Sequence, residues 1–499
     1  MMRAAALGLI LLACCAGGET EVEEAVGGQS GNDSWTRPPA VAGQFYSSSP
    51  EELAVAVNGY LSMAGADSLQ GHIISAVVPH AGLQFSGPAA AEVYSAIREE
   101  PYDLIYILAP AHGYPLRGIS VLNADSCATP LGSVSIDMEA AERLATAHPS
   151  AQLNREPHLS EHSIEVQLPF LQQVLPPGFS VVPLLIGSCP TEDLAFLAEL
   201  IYAEGEDRNI LLLASSDLSH YPPESVAREL DAHTLDLYLQ GDPLEFAAAT
   251  ARPEDSGVAT LACGRLPMTA ALYFNRLHLG WNSVVLAQTN SADRGGDRQR
   301  TVGYGAVVTT VDPDRAGEDI GEPAERRLCR IAREELERAA GDQPPGEYDF
   351  RSRELLLPRG AFVTYTRRGA LRGCIGSIRP VQPLGEAVAG MARQAADADP
   401  RFPPIGLEEL DEIELEISIL TPLMLVDDTS NVEVGVDGLY LLQDGRAGVL
   451  LPQVPVQQGW NRREYIRNLA IKAGLPPDGY DPSSSLLFRF GARLISPSS

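Results

Sequence analysis

Six short apolar runs, each closed by turn residues, recur through roughly the first 310 positions: HIISAVVP, YDLIYILAP, FSVVPLLIG, RNILLLASSD, SVVLAQT and VGYGAVVTTV. Between several of them lie SGPAAAEVYSAIREE, SIEVQLPFLQQVL, TEDLAFLAELIYAE and PESVARELDAHTLDLYLQ, whose apolar residues return at helical spacing. Strand runs that are apolar on both faces and alternate with amphipathic helices predict a sheet covered on both sides. The first part of the chain is therefore expected to be a layered α/β domain.

The pattern stops at VDPDRAGEDIGEPAE, residues 311 to 325, where Pro, Gly and acids replace apolar periodicity. The reading divides the chain into an N-terminal segment over 1–34, an α/β domain over 35–312, a linker over 313–322 and a second domain over 323–495. In the second domain RRLCRIAREELERAA predicts an amphipathic helix, and GAFVTYTRRGALRGCIGSI predicts paired strands around Arg368 and Gly369. A helix over 384–398 and a strand in IELEISILTP complete a smaller α+β unit.

Across 499 residues, 66 acids face 36 bases, a formal charge of −30. Such a field repels phosphate backbones, so nucleic acid is excluded as a general partner. The local cluster Arg367, Arg368 and Arg372 is the one exception to examine. The N-terminus, MMRAAALGLILLACC, has one arginine and an apolar run too short to span a bilayer, the shape of a secretory signal. Leu11, Leu12, Ala13 and Cys14 look like a bacterial lipobox, with Cys14 the acylated residue. This predicts an exported chain held at the cell envelope only by a lipid anchor on a flexible acidic tether. A misassigned start would make it cytoplasmic. The five later cysteines, Cys127, Cys189, Cys263, Cys329 and Cys374, contain no CxxC pair and suggest neither a disulfide scaffold nor structural zinc.

All nine histidines precede residue 280. His80 in VVPHAGL, His112 in ILAPAHGYP and His220 in SSDLSHYP follow apolar runs, while His162 opens the SIEVQLPFLQQVL stretch. Ligands of open α/β sheets bind outside the carboxyl ends of the strands. Strands ending at His80, His112 and Asp217 with His220 are therefore expected to aim into one crevice, where Ala81 and Gly82 would leave room beside the His80 ring. Neutral imidazole is a good ligand for iron, zinc or copper. Each such histidine taken alone also fits a capped surface residue. Cys263 in ATLACGRLPM fits a small buried apolar residue, or a thiolate favoured by a helix N-terminus. His158 is expected in a loop, and His72, His148, His233 and His278 as structural or surface residues.

At VAGQFY (41–46), PHAGLQFSG, ILAPAHGYPL, EHSIEVQLPF, SSDLSHY and CGRLP, residues 36 to 312 resemble the Memo family. The resemblance implies an extradiol dioxygenase-like (LigB-like) fold with one mononuclear metal site, in which His80, His112 and Cys263 match the metal-binding positions. Asp217 and His220 match polar residues of the same pocket. Extradiol dioxygenases use a carboxylate where Cys263 stands, so a redox role for iron, or copper, is expected in place of ring cleavage. His220 is the expected general acid/base, with Asp217 orienting it, and His162 is expected to line the pocket without binding metal.

Residues 323 to 495 resemble a second family, the AMMECR domain, at ALRGCIGSIRP, ADPRFPPIGLEELDEIELEISILTP, GVLLPQVPVQQGW and IKAGLP. Its LRGCIG signature supplies Arg372, Gly373, Cys374 and Gly376, read mainly as a tightly packed strand and turn. Together the two halves look like proteins B and A of the AmmeMemoRadiSam system, fused. The chain has no CxxxCxxC motif, so a radical SAM partner would have to be a separate protein. The expected activity is a metal-dependent redox reaction on an unknown small substrate. The alternatives are a metal-binding lipoprotein without turnover and a peptide-binding adaptor.

Overall fold

The structure, a computed structural model, describes residues 34–497 apart from 66–68, 70, 207, 252–257, 279, 312–319, 349, 351–352, 358, 380–381, 427, 444 and 483. The lipobox with Cys14, and linker positions 313–319, lie outside the described residues.

Eight strands form the main sheet: β2 (His72–Val78), β3 (Leu104–Pro110), β4 (Ile119–Val121), β7 (Ala151–Leu153), β8 (Ser180–Ile186), β9 (Ile210–Ser215), β10 (Trp281–Asn290) and β11 (Gly303–Val311). Their order is β10-β11-β2-β9-β3-β8-β4-β7, and the central β2, β9, β3 and β8 run parallel. Successive side chains enter two separate cores. On β3, Ile105, Ile107 and Ala109 join one cluster, while Leu104, Tyr106 and Leu108 join the other. Helices α1 (Pro50–Met63), α2 (Leu83–Ala96) and α4 (Leu168–Val174) cover the first face. The second is covered by α3 (Met138–Ala147), α5 (Thr191–Ala203), α6 (Glu224–Gln240), α7 (Pro243–Ala249) and α8 (Arg265–Leu277). This is the two-sided burial that the apolar runs require. A small sheet of β1 (Thr36–Arg37), β5 (Ser126–Thr129) and β6 (Gly132–Ser135) sits beside it.

One expected helix is shorter at its N-terminal end than its periodicity suggests. In SIEVQLPFLQQVL, only Leu168–Val174 is α-helical, preceded by a 3-10 turn at Glu165–Gln167. Pro169 has no N–H to give the carbonyl of Glu165, so the α-helical ladder is interrupted there and the turn before it is 3-10.

The second half begins with α9 (Glu322–Ala340), which takes Glu322 out of the expected linker, followed by α10 (Arg353–Leu356). β12 (Ala361–Arg367) and β13 (Ala370–Ser377) pair around Arg368 and Gly369, both in the left-handed region with φ of 54° and 77°. With β14 (Ile413–Leu420) and β19 (Ala492–Ile495) they form a four-stranded sheet covered by α9 and α11 (Leu384–Asp397). A second four-stranded sheet comprises β15 (Met424–Leu425), β16 (Gly438–Gln443), β17 (Arg446–Leu450) and β18 (Ser485–Phe490). The helices α12 (Gln453–Gln458) and α13 (Arg462–Lys472) follow β17.

Candidate metal centre

Three adjacent parallel strands bring the site together. β2 stops at Val78 before Pro79 and His80, β3 at Pro110 before Ala111 and His112, and β9 at Ser215 before Ser216 and Asp217. Because β9 lies between β2 and β3, their carboxyl ends deliver these residues side by side. Cys263 arrives from the opposite direction, just ahead of α8. Its N–H donates to the carbonyl of Asp217 (3.2 Å), and the Asp217 N–H donates to its sulfur (3.2 Å).

The Nε2 atom of His80 lies 3.2 Å from Cys263 Sγ. One ligand atom from each of His80, His112 and Cys263 lies within 4.8 Å of the others. Ligands 2.0 to 2.3 Å from a shared ion stand about 3.5 Å apart, so modest side-chain movement would complete a three-ligand set. His80 is 1% exposed, whereas the His112 side chain is 33% exposed, so the site opens on the His112 side. Burial, with His112 and His162 nearby, pushes the His80 pKa well below its usual range and keeps the ring neutral, as a metal ligand must be.

Cys263 departs from the expected helix-end thiolate. Burial and the neighbouring Asp217 push its pKa well up. The helix N-cap is Gly264, and the thiol lies just before it, where hydrogen bonds from the Asp217 and Gly264 backbone and from Ser216 only partly offset that rise. Gly264 packs where no side chain fits: a Cβ there would meet the Ser215 carbonyl oxygen at 2.3 Å. Gly82 is different. Its φ is −52°, and a Cβ would make only an ordinary 3.6 Å contact with Phe45, so it is not the open space expected beside His80.

Among the described residues no hydrogen bond joins Asp217 to His220. The Asp217 Oδ1 accepts from the backbone N–H groups of His80 (2.8 Å) and Ala81 (3.3 Å), and burial raises its pKa to about 7. The Nε2 of His220 is buried without a hydrogen-bond partner, and burial with nearby His112 lowers its pKa to about 4. His162 stacks on His112 with ring centroids 4.8 Å apart and meets Phe45 at 4.7 Å, as a wall of the pocket should.

Glu161 gathers this wall. Its Oε1 accepts from His112 Nδ1 (3.0 Å), His162 N–H (2.9 Å) and Ser163 N–H (3.0 Å), and its Oε2 accepts from the His112 N–H (2.6 Å). Burial opposes its ionisation, but the contacts from His112 outweigh that and hold the carboxyl well below the usual range. His112, Glu161 and His162 could also surround an ion. Since the carboxylate is already saturated with donors, we read it as a support for the imidazoles. Glu165 plays a separate part: it receives Arg37 Nη1 (2.7 Å), the N–H groups of Ala40 and Val41, and the Tyr46 hydroxyl, tying VAGQFY to EHSIEVQ. His158 is buried in a 3-10 turn, not a loop, and bonds to Ser120.

In the second half, LRGCIG is internally engaged. Arg372 forks onto Glu409 (2.9 and 2.9 Å) and reaches the carbonyls of Pro403 and Pro404. Arg367 pairs with Glu409 and Glu412, and Arg368 with Glu412, so the suspected basic patch is neutralised. A Cβ on Gly373 would meet the Ala395 carbonyl oxygen at 2.1 Å, and one on Gly376 would meet the Phe362 ring at 2.1 Å. The five described cysteines are free. Among the described residues no helix is long and apolar enough to cross a membrane.

A covered α/β sheet with two histidines and one cysteine converging at its carboxyl edge, followed by a smaller antiparallel domain, defines the class of this chain. Residues 37–308 match the family model described as Memo-like protein, and residues 329–495 match that of AMMECR1. The chain belongs to the Memo family, with an AMMECR1 domain after the Memo domain. A MEMO1 family protein of Saccharolobus solfataricus is 32% identical over 281 residues, covering 54% of this chain and 97% of the relative. A MEMO1 family protein of Nitrosopumilus maritimus is 29% identical over 275 residues, 54% of this chain and 98% of that protein. A protein of Methanothermobacter thermautotrophicus is 40% identical over 186 residues, 34% of this chain and 92% of its own length. The solved structure of an uncharacterised protein from Pyrococcus horikoshii covers 35% of this chain and 92% of its own, at 37% identity and a TM-score of 0.33.

Proposed function

We propose that the chain is a metal-dependent redox enzyme that holds a single ion, iron in preference to copper, between His80, His112 and Cys263 and acts on a small substrate. The observation that carries this reading is the meeting of the His80 Nε2, the Cys263 sulfur and the His112 ring, three residues remote in sequence, at one sheet edge. The donor set fits such an ion: two imidazoles and a sulfur suit iron or copper, and three protein ligands leave a position open. When bound, the ion would supply electron transfer to or from substrate at that open position.

The protein's own groups do the rest. His80 is sequestered from water and Cys263 is half-buried, while the part-exposed His112 marks the side from which substrate enters. His162 and Phe45 form an aromatic wall against which a planar group can lie. His220, neutral and unpartnered at Nε2, is free to take a proton from substrate, and its low pKa makes it a weak base that returns the proton readily.

Purified anaerobically without its first 34 residues, the chain is expected to contain one equivalent of metal by elemental mass spectrometry. His80→Ala and Cys263→Ser should each remove most of it. Oxygen uptake with a reductant and a panel of catechols and other small aromatics tests turnover. A preparation that binds no metal under these conditions would end the proposal, and metal without any uptake would end its enzymatic part.

A further inference from the structure

We propose that Glu161 and Ser215 are positioning residues that fix the tautomers of His112 and His80, so that both rings keep a lone pair on Nε2 for the shared ion. This rests on the three-ligand site proposed above.

The hydrogen bonds leave one assignment for each ring. A carboxylate only accepts, so the 3.0 Å contact between Glu161 Oε1 and His112 Nδ1 places the proton on Nδ1 and leaves Nε2 bare. For His80 the decision is one step removed. Its Nδ1 lies 2.9 Å from Ser215 Oγ, a group that could donate or accept. Ser215 has one hydroxyl proton, and it goes to the Ser163 carbonyl at 2.6 Å, which can only accept. Toward His80 the hydroxyl must therefore accept, so His80 Nδ1 is protonated and Nε2, the atom facing Cys263, is bare.

Gln167 locks the hydroxyl from the other side. Its Nε2 donates to Ser215 Oγ (2.9 Å) and to the Pro79 carbonyl (3.1 Å), and its Oε1 accepts from Tyr94 (2.7 Å), which fixes the amide's orientation. The Ser163 hydroxyl donates to the Pro110 carbonyl (3.0 Å), two residues before His112. One segment, EHSIEVQ, thus reaches both ligand-bearing strand ends. Outer partners of this kind fix ring orientation and tautomer in metal sites.

The metal-free full chain, labelled with 15N-histidine, reports the tautomers directly by long-range 1H–15N correlation, with His80→Gln and His112→Gln spectra giving the assignments. Both rings are expected in the Nδ1–H form. Either ring in the Nε2–H form, or as an equal mixture, overturns the proposal. Ser215→Ala should disturb the His80 pattern alone and Glu161→Gln the His112 pattern alone, each lowering Co(II) affinity about 10- to 100-fold. If a variant does not fold, the wild-type spectrum still decides. Wild-type protein that shows the expected tautomers but takes up no Co(II) refutes the metal reading alone. Co(II) binding with the opposite tautomers refutes this one alone.

Discussion

Two cysteines beside glycines look alike in the sequence and differ in their surroundings. Cys263 faces the His80 Nε2 and a backbone N–H, whereas Cys374 receives the Thr364 hydroxyl at 3.3 Å and has its own N–H held by Asp399. Cys374→Ser is therefore expected to keep wild-type metal content under conditions where Cys263→Ser loses it; equal loss in both, by elemental mass spectrometry, would show the assignment misplaced. His158 carries a different consequence. It is buried against Ser120, and burial lowers its pKa to about 3, against a usual value near 6.5. Below 6.5 the unfolded chain gains a proton that the folded chain refuses, so this residue's effect is absent above pH 6.5 and destabilises progressively as pH falls toward 3. His158→Gln should flatten the decline of unfolding free energy between pH 6.5 and 4 by up to about 1.4 kcal/mol per pH unit. Urea titrations across that range in both proteins measure it, and parallel slopes would refute it.

At the level of elements, α8 meets β9 at Gly264, where the chain bearing Cys263 passes against the Ser215 carbonyl and the Ser216 hydroxyl accepts the Gly264 N–H (2.9 Å). Gly264→Ala has no room for its methyl and must move the cysteine away from the strand ends. The expected result is a loss of roughly 1–3 kcal/mol in stability together with reduced metal content. Retention of both, by urea titration and metal analysis, would refute this account of the close packing. The meeting of His80 and His112 was legible in the sequence because each follows an apolar strand run, and adjacent parallel strands end together. The supporting groups were not. Ser215 and Gln167 are polar residues inside apolar stretches, and only their partners, which come from other elements, reveal what they hold. The SIEVQLPFLQQVL stretch was legible as a helix because its apolar residues return at helical spacing. That Pro169 would leave its first turn 3-10, and that Ser163, Glu165 and Gln167 would turn their side chains to other elements, was not.

For the molecule as a whole, the two families are joined by a shared core that neither half's pattern announces. Phe196, Leu200 and Ala203 of α5 pack with Leu420, Leu423, Tyr440, Leu486, Phe488 and Phe490 of the AMMECR1 domain, and the Arg379 guanidinium lies 3.9 Å above the Phe196 ring. In the sequence TEDLAFLAELIYAE reads as an ordinary helix covering its own sheet, because nothing in one helix distinguishes the core it enters from a partner's. Glu199, 4% exposed beside this junction, has neither carboxylate oxygen hydrogen-bonded, and with Tyr202, Arg359 and Ile378 it lines a small cavity there. Burial raises its pKa well above the usual value near 4.5, only partly offset by Arg379. A carboxyl whose folded pKa is raised holds a proton that the unfolded chain gives up. Its cost is therefore absent below about pH 4.5 and grows as pH rises toward the folded value. Glu199→Gln keeps the shape and cannot ionise. It should match wild type near pH 4.5 and exceed it by roughly 1–3 kcal/mol at pH 8, read from denaturant unfolding of the full chain. If the two proteins were equally stable at pH 8, the carboxyl would have found a partner at the junction, and its burial there without a hydrogen bond would be refuted.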